Sequence, residues 1–575
     1  MIMNKKDVIR TLEKIAIYLE IKGDNPFKIS AYRKAAQALE SDQRTLDEID
    51  NPASLNGIGK GTAEVIVEMK ESGESTLYNE LANSLPAGLL PLLKLPGLGG
   101  KKVGKLYQEL GVVDMNTLKQ VCEEGEVQKL AGFGKKTEEK ILVAIEEAST
   151  RPDRLALPIV LPIALQIEQA LRTMKGVERF SRAGSLRRMR ETVKDLDFII
   201  ATTEPELVRD QLLSMESISN VIASGDTKVS VEITTEFPIS IDFRLVEPKA
   251  FATTLHHFTG SKDHNVKLRQ LAKKRGEKIS EYGVESVETG EVKTFESEEV
   301  FFAHFGLAYV PPEAREDQGE VELAEESASP HYLTNKDIRG DLHMHTTWSD
   351  GAHSIIEMVE AARERGYQYI AITDHSRYLK VANGLSIERL KDQHAQIRAL
   401  NEKYDDFTIL TGIEMDILPD GTLDYDNEIL ADIDFVIASI HSSFQQDRET
   451  IMNRLKTALE NVHVDLIAHP TGRLLGRREG YDVDLEMLID LAKETNTALE
   501  LNANPNRLDL SAEWLKKAEE AGVVIAINTD AHHIEMMDDM MYGTGTARRA
   551  MLSPDTVMNT WTIDRLCNFL KRHES

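Results

Sequence analysis

From residue 336 to the C-terminus, short β-like apolar runs alternate with helix-patterned stretches, and nearly every apolar run stops at a His, Asp or Glu. The runs are 370–373, 408–413, 435–440, 466–469, 498–501 and 523–528, with helical stretches such as 355–365 and 387–401 between them. Repeated βα units demand a parallel sheet or a closed barrel, because parallel neighbours need a long crossover. About 240 residues suits a TIM-like barrel, whose strand ends carry the active site. The polar residues fall there: Asp341-Leu342-His343-Met344-His345 with Asp350, Thr373-Asp374-His375, Gly412-Ile413-Glu414, Ser439-Ile440-His441, Ala468-His469-Pro470 and Thr529-Asp530-Ala531-His532. A lone buried His is usually a core residue, but six of them with three carboxylates at successive strand ends are not explained that way. Imidazole with carboxylate suits Zn²⁺, Mn²⁺ or Fe²⁺. The candidate ligands are His343, His345, Asp350, His375, Glu414, His441, His469, Asp530 and His532; His353, His394, His463, His533 and His573 fall outside the pattern.

Charge divides the chain at about the same place. The total is −28 over 575 residues, but residues 1–315 hold 43 Lys+Arg against 48 Asp+Glu, and residues 316–575 hold 25 against 48. Net charge alone argues against a polyanionic partner, and its distribution removes that objection for the first part. Between the parts, residues 316–335 carry six acids, no Lys or Arg and no structural period, and read as an acidic interdomain linker. Two cysteines, Cys122 and Cys567, exclude a disulfide scaffold and fit a reducing cytosol. No apolar run reaches about 18 residues, so no membrane span is expected, and the charged, helix-patterned start is unlike a signal peptide.

The first 150 residues read as helices, with the apolar period of Val8, Leu12, Ile15, Ala16 and Leu19. Three turns of the form L-x-G-h-G interrupt them, containing Gly57 and Gly59, Gly97 and Gly99, and Gly132 and Gly134. Two glycines around one apolar residue permit a tight turn whose middle side chain plugs a helix pair. The backbone N–H groups and the next helix start then face outward, where a phosphate can sit. Lys60, Lys101, Lys102, Lys135 and Lys136 add charge. The element resembles the helix-hairpin-helix motif, which grips DNA backbone without reading sequence.

Residues 155–250 change to short strands at 197–201, 228–233 and 239–245. Alternation puts Asp195 and Asp197 on one face, with Phe198 and Ile200 turned into a core. Asp242 lies on a later strand. Carboxylates converging on a sheet edge need a divalent cation between them, and hard oxygen ligands suit Mg²⁺. Gly184-Ser185 offers backbone to a phosphate and Arg188 a charged donor.

This G-S-x-x-R, D-x-D, D arrangement resembles the nucleotidyltransferase superfamily. Phe258-Thr259-Gly260-Ser261 with Asn265 and Arg269, and Ala31-Tyr32-Arg33-Lys34-Ala35 upstream, narrow it to family X DNA polymerases, the polymerase beta group. The resemblance implies that Asp195, Asp197 and Asp242 hold two Mg²⁺ ions, Asp242 nearest the primer 3′-hydroxyl. It implies that Gly184, Ser185 and Arg188 take the triphosphate, Phe258 and Gly260 shape the sugar pocket, and Asn265 and Arg269 meet the nascent base pair and template. Two departures stand out. Val65 occupies the position of the family's Schiff-base Lys, and His257 stands where members often have Tyr. The nine residues of the C-terminal part resemble the ligand set of the polymerase-and-histidinol-phosphatase (PHP) domain, a distorted (β/α)₇ barrel with about three ions, here Mn²⁺ or Zn²⁺, that hydrolyses phosphoesters. Arg473, just past Ala468-His469-Pro470, is a candidate phosphate contact.

The expected fold is multidomain α+β and α/β. It comprises helix-hairpin-helix domains at 1–88 and 89–154, a palm at 155–250, a thumb-like subdomain at 251–315, the linker at 316–335 and a PHP barrel at 336–575. The resemblance implies a cytoplasmic, nucleoid-associated, monomeric repair polymerase with a 3′→5′ exonuclease, acting on gapped or primer–template DNA with dNTPs. Two alternatives stay open: a barrel that is a small-molecule phosphatase tethered to a DNA anchor, and a non-catalytic DNA-end scaffold.

Overall fold

A computed structural model describes residues 5–41, 46, 49–93, 95, 97–150, 154–234, 238–327 and 331–570. Pro96 of the second turn, 328–330 of the acidic segment and His573 lie outside them. The chain divides into two compact units, Met1–Pro152 and Asp153–Ser575.

The first unit is helical. The periodic face of Lys5–Lys22 buries Val8, Leu12, Ile15 and Ala16 completely, against Tyr32, Ala35 and Leu39 of Pro26–Ser41. Asn25 caps the second helix by accepting from Phe27 N–H at 2.9 Å, and Pro26 starts it. The three L-x-G-h-G turns form as expected. Gly57, Gly97 and Gly132 adopt φ of +100°, +79° and +91°, a region a side chain disfavours. Gly59, Gly99 and Gly134 then accept the first helical bonds, from Ala63, Val103 and Glu138. Ile58 and Leu98 plug their turns, and half-buried Phe133 lies under the Lys102 ammonium at 5.4 Å.

The second unit opens with a five-stranded sheet in the order Arg179–Arg182, Asp195–Ala201, Pro238–Val246, Lys228–Thr234, Ile218–Ser224. The helix Leu157–Thr173 covers one face, packing on Leu196, Phe198, Ile200 and Phe243. On the other face Ile199 and Ala201 meet Phe251 and Leu255 of the helix Phe251–Thr259. The two outer strands were illegible for opposite reasons: Arg179–Arg182 is short and polar, and most of Ile218–Ser224 is exposed, so neither alternates. A thumb follows, its helix Lys262–Lys274 and three short strands gathered on Phe295, Phe301, Phe302 and Phe305.

The acidic segment is not a free linker. Glu320–Glu326 is a helix whose Val321 and Ala324 lie in the thumb core, and Leu333 is wholly buried in the barrel core. Six acids mask a helix of about two turns, too short to show a period, and four of them, Glu316, Asp317, Glu320 and Glu322, are paired. Among the described residues, no helix is long and apolar enough to cross a membrane.

The C-terminal part is a seven-stranded all-parallel sheet in sequence order: Gly340–Asp341, Tyr369–Ile372, Thr408–Asp416, Phe435–Ser439, Leu466–Ile467, Ala498–Asn502 and Ile525–Asn528. Its ends meet just past the strands, where Met344 bridges Ala531 and His345 N–H donates to Ala531 O at 2.9 Å. The barrel is therefore nearly closed, with helices outside and apolar side chains within.

One close approach carries the first unit. A Cβ on Gly104 would stand 2.3 Å from Ile21 O, so Gly100–Leu110 packs backbone to backbone on the first helix. Gly104→Val should destabilise this unit by about 1–3 kcal/mol through overpacking. Native-state hydrogen exchange should read it as lost amide protection in 5–22 and 100–110, with barrel amides unchanged.

Candidate active sites

The barrel brings all nine expected ligands into one bowl at the C-terminal ends of its strands. His343 and His345 are fully buried, Glu414, His469, His375 and Asp530 nearly so, and Asp350, His441 and His532 form the rim. Three overlapping groups have ligand atoms within 4.8 Å of one another: His345, Asp350, His375 and His532; His343, His345 and Asp530; His375, Glu414 and His441. His345 and His375 each belong to two groups. His469 joins through Glu414, its Nε2 at 3.0 Å from Oε1. Glu414 also lies 2.9 Å from His375 Nδ1 and 3.2 Å from His441 Nε2.

These atoms are wrong for a dry core. His343 Nε2, His345 Nδ1, His375 Nδ1, His469 Nδ1 and Glu414 Oε2 are buried and make no well-directed hydrogen bond; His343 Nε2 and His375 Nδ1 meet Glu414 Oε2 only as ion-pair contacts, at 3.4 and 2.9 Å. Poorly satisfied buried polar atoms are expensive, and divalent cations held by these groups would relieve part of that cost. The electrostatics agree. Burial and then the neighbouring His532 and His375 press His345 down to about 3. Burial opposes protonation of His441, yet Glu414 and Asp416 raise it to about 10. His532 rises to about 9 against its burial, through Asp350 and Asp530. Glu414 and Asp530, despite burial, are held well below the usual carboxylate range by the imidazoles around them. Without cations, protons balance this cluster, and cations would replace them.

Supporting residues escaped the sequence reading. Glu500, wholly buried, accepts from His343 Nδ1 at 2.8 Å and from His469 N–H at 2.7 Å. Asp416 takes His441 Nδ1 at 3.2 Å. Both fix the Nδ1–H tautomer, so that Nε2 faces the bowl. Asn502 donates to Asp530 Oδ2 at 3.1 Å, and Arg507 Nε lies 3.7 Å from the same oxygen. A signal existed for Glu500: the run 498–501 was the one strand without an assigned end residue. Arg473 is corrected. Its guanidinium is bidentate on Glu191 at 2.8 and 3.2 Å, tying the palm to the barrel, and is not free for phosphate.

In the palm, Asp195–Ala201 and Pro238–Val246 are parallel neighbours, with Asp197 directly opposite Asp242. Burial, then Asp195 and Asp242, raise Asp197 to about 7. Ser230 Oγ donates to Asp242 at 2.6 Å, and Lys228 Nζ lies 2.8 Å from its other oxygen. Gly184 must be glycine: its φ is +60°, and a Cβ would stand 2.4 Å from Asp197 Oδ2. Ser185 follows, partly buried, and Arg188 donates to Thr259 O at 2.5 Å and to Glu316 at 3.0 Å. Gly260 adjoins both Arg188 and Asn265, and Asn265 donates to His257 O at 2.8 Å. Phe258 carries the Arg244 guanidinium on its ring at 3.9 Å. Arg269 is exposed on the helix Lys262–Lys274. Lys267 of the same helix is occupied by Asp317 and Glu322, at 3.0 and 2.5 Å. In the first unit Lys60 and Lys101 are exposed, whereas Lys102 donates back to Gly97 O at 3.0 Å. Val65 is partly buried in the helical core.

Known proteins agree with this geometry. Residues 3–75 match the helix-hairpin-helix domain family, 89–147 the SAM-like helix-hairpin-helix tandem, 254–316 the DNA polymerase beta thumb and 341–504 the PHP domain. A helix-hairpin-helix part, a polymerase beta thumb and a PHP barrel in that order define a family X DNA polymerase of the bacterial type. The chain is 61% identical, over the whole of both sequences, to the DNA polymerase/3'-5' exonuclease PolX of Bacillus subtilis (strain 168), and it belongs to the PolX family. Its barrel is also similar to smaller proteins. One is a probable phosphatase of Thermoanaerobacter sp. (strain X514), 30% identical over 40% of this chain and 94% of that protein. Another, from Acetivibrio thermocellus, is 31% identical over 33% of this chain and 78% of that protein.

Two outcomes follow. Glu500→Gln should weaken cation binding by about 10–100-fold, the scale of supporting carboxylates, as read by competitive chelator titration. Second, raised His pKa values stabilise the cation-free fold fully below about 6.5, and that stability is lost as pH rises through about 9 for His532 and about 10 for His441. Thermal melts of chelated protein should therefore fall between pH 7 and 10, while cation-loaded protein should not follow.

Proposed function

We propose that this chain is a DNA-directed DNA polymerase with a 3′→5′ exonuclease, extending primers at the palm and removing 3′-terminal nucleotides at the barrel. The observation that carries this reading is two separate ligand sets of different chemistry on one chain: three carboxylates on the palm strands and nine His, Asp and Glu residues at the barrel mouth. The carboxylates suit two Mg²⁺ ions and the imidazole-rich set about three Mn²⁺ or Zn²⁺ ions. Divalent cations, when bound, supply Lewis acidity toward phosphate oxygens and the attacking oxygen. The chain's own residues do the rest. Asp242 sits nearest the primer 3′-hydroxyl, with Ser230 and Lys228 fixing its carboxylate. Gly184, Ser185 and Arg188 receive the triphosphate, Phe258 and Gly260 bound the sugar, and Asn265 and Arg269 face the base pair and template. In the barrel, Glu500 and Asp416 aim two imidazoles inward, and Arg507 stands 3.7 Å from Asp530.

The helix-hairpin-helix turns, with Lys60 and Lys101 exposed, grip the DNA backbone. The substrate is gapped or primer–template DNA in repair, with dNTPs as the second substrate, and trimming extends to blocked 3′ ends and abasic sites. The chain works as a monomer in the cytoplasm, at the nucleoid. Similarity to probable phosphatases favours a second reading of the barrel alone, hydrolysis of small phosphomonoesters.

A 5′-labelled primer–template, with Mg²⁺ or Mn²⁺ and with or without dNTPs, tests both sites in one gel. Asp195→Ala with Asp197→Ala should abolish extension and spare degradation; His343→Ala with His345→Ala should do the reverse. Loss of both activities in either variant, with the fold intact, would sink the two-site reading. Phosphomonoester hydrolysis without primer degradation would select the phosphatase.

A further inference from the structure

The segment joining thumb to barrel sends one carboxylate into the nucleotide pocket. Glu316 Oε1 accepts from Arg188 Nε at 3.0 Å, and Oε2 lies 3.5 Å from Arg190. Arg188 makes a second bond from Nη1, to the carbonyl of Thr259. A planar guanidinium held at two points on different atoms has a fixed plane, and three of its five N–H groups remain for a ligand. Glu316 is itself immobilised from both sides. Before it, Arg315 is wholly buried, paired with Glu298 at 2.5 Å, and its carbonyl accepts from Ser261 N–H. After it, Asp317 and Gly319 turn the chain at φ of +58° and +100°. Glu320, wholly buried, then collects the N–H groups of Asp317 and Gln318 and the Nδ1 of His264. The carboxylate is also shared with Arg190, so it does not follow Arg188 if that side chain swings out.

We propose that Glu316 is a positioning residue for nucleotide binding: it sets the plane of Arg188 so that the free edge of the guanidinium meets the triphosphate. The proposal rests on Arg188 as a triphosphate contact. It makes the start of the acidic segment part of the polymerase pocket. The opposite possibility is that Glu316 competes with the triphosphate for Arg188, and it predicts the opposite sign.

Single-nucleotide incorporation by full-length Glu316→Ala and Glu316→Gln separates them. Losing one charge-assisted hydrogen bond corresponds to about tenfold in affinity, so Glu316→Ala should raise the KM for dNTP about tenfold while kcat stays within about twofold. Glu316→Gln, which keeps an acceptor for Arg188 Nε, should fall between, and it covers the case in which alanine disturbs the fold. The inhibition constant for pyrophosphate should rise in the same proportion, which a merely structural role would not produce. Degradation of the same primer without dNTPs should be unchanged. An unchanged or lowered KM in both variants overturns the proposal. If Arg188→Ala also leaves the KM for dNTP unchanged, the reading of Arg188 fails, and Glu316 is not the error.

Discussion

Glu414 is buried among imidazoles at the centre of the barrel, and much of the C-terminal architecture answers the problem of keeping it charged there. A carboxylate in a dry interior is strongly disfavoured unless paired. Here His343, His375, His441 and His469 reach it from different strands, so its neutralisation needs the closed sheet. Two of those imidazoles, His343 and His441, in turn have Glu500 and Asp416 behind them to fix their tautomers. The palm meets the same difficulty on a smaller scale, with Asp197 facing Asp242 across one strand pair and Gly184 pressed against it. Both sites are stored electrostatic conflict that multivalent cations can relieve.

Legibility followed how local each signal is. The His, Asp and Glu cluster at the barrel mouth was readable because most of its members lie at or just past the end of an apolar run, and parallel topology then gathers them. The D-x-D pair and the L-x-G-h-G turns were readable because their chemistry fits within a few residues. What could not be read depends on tertiary partners. Glu500 looks like any acid in a strand until His343 is set beside it. Arg473 looked like a phosphate ligand because nothing in its neighbourhood names Glu191, 282 residues away. The acidic segment looked solvated because it has six acids, no Lys or Arg and no structural period, although Glu316, Glu320 and Glu322 pair with Arg188, His264 and Lys267.

Net charge misled for a related reason. A total of −28 suggests a chain that avoids DNA, yet residues 1–315 are close to balanced. Part of the excess acid of the remainder lies in the His, Asp and Glu cluster at the barrel mouth. Charge summed over a multidomain chain averages surfaces with opposite tasks, and only its distribution bears on partners.

The palm and barrel also share apolar packing: Leu508 and Tyr542 from the barrel are buried in the palm core, with Leu475 against it. Arg549 donates to Met189 O, and Met189 rests on Gly545. A trimming centre embedded in its neighbour this way cannot swing toward a primer terminus as a separate arm would. The two sites therefore keep a fixed separation within this packed unit. A mismatched last pair costs less to unpair than a matched one, so a primer end moving from palm to barrel would start with a smaller penalty.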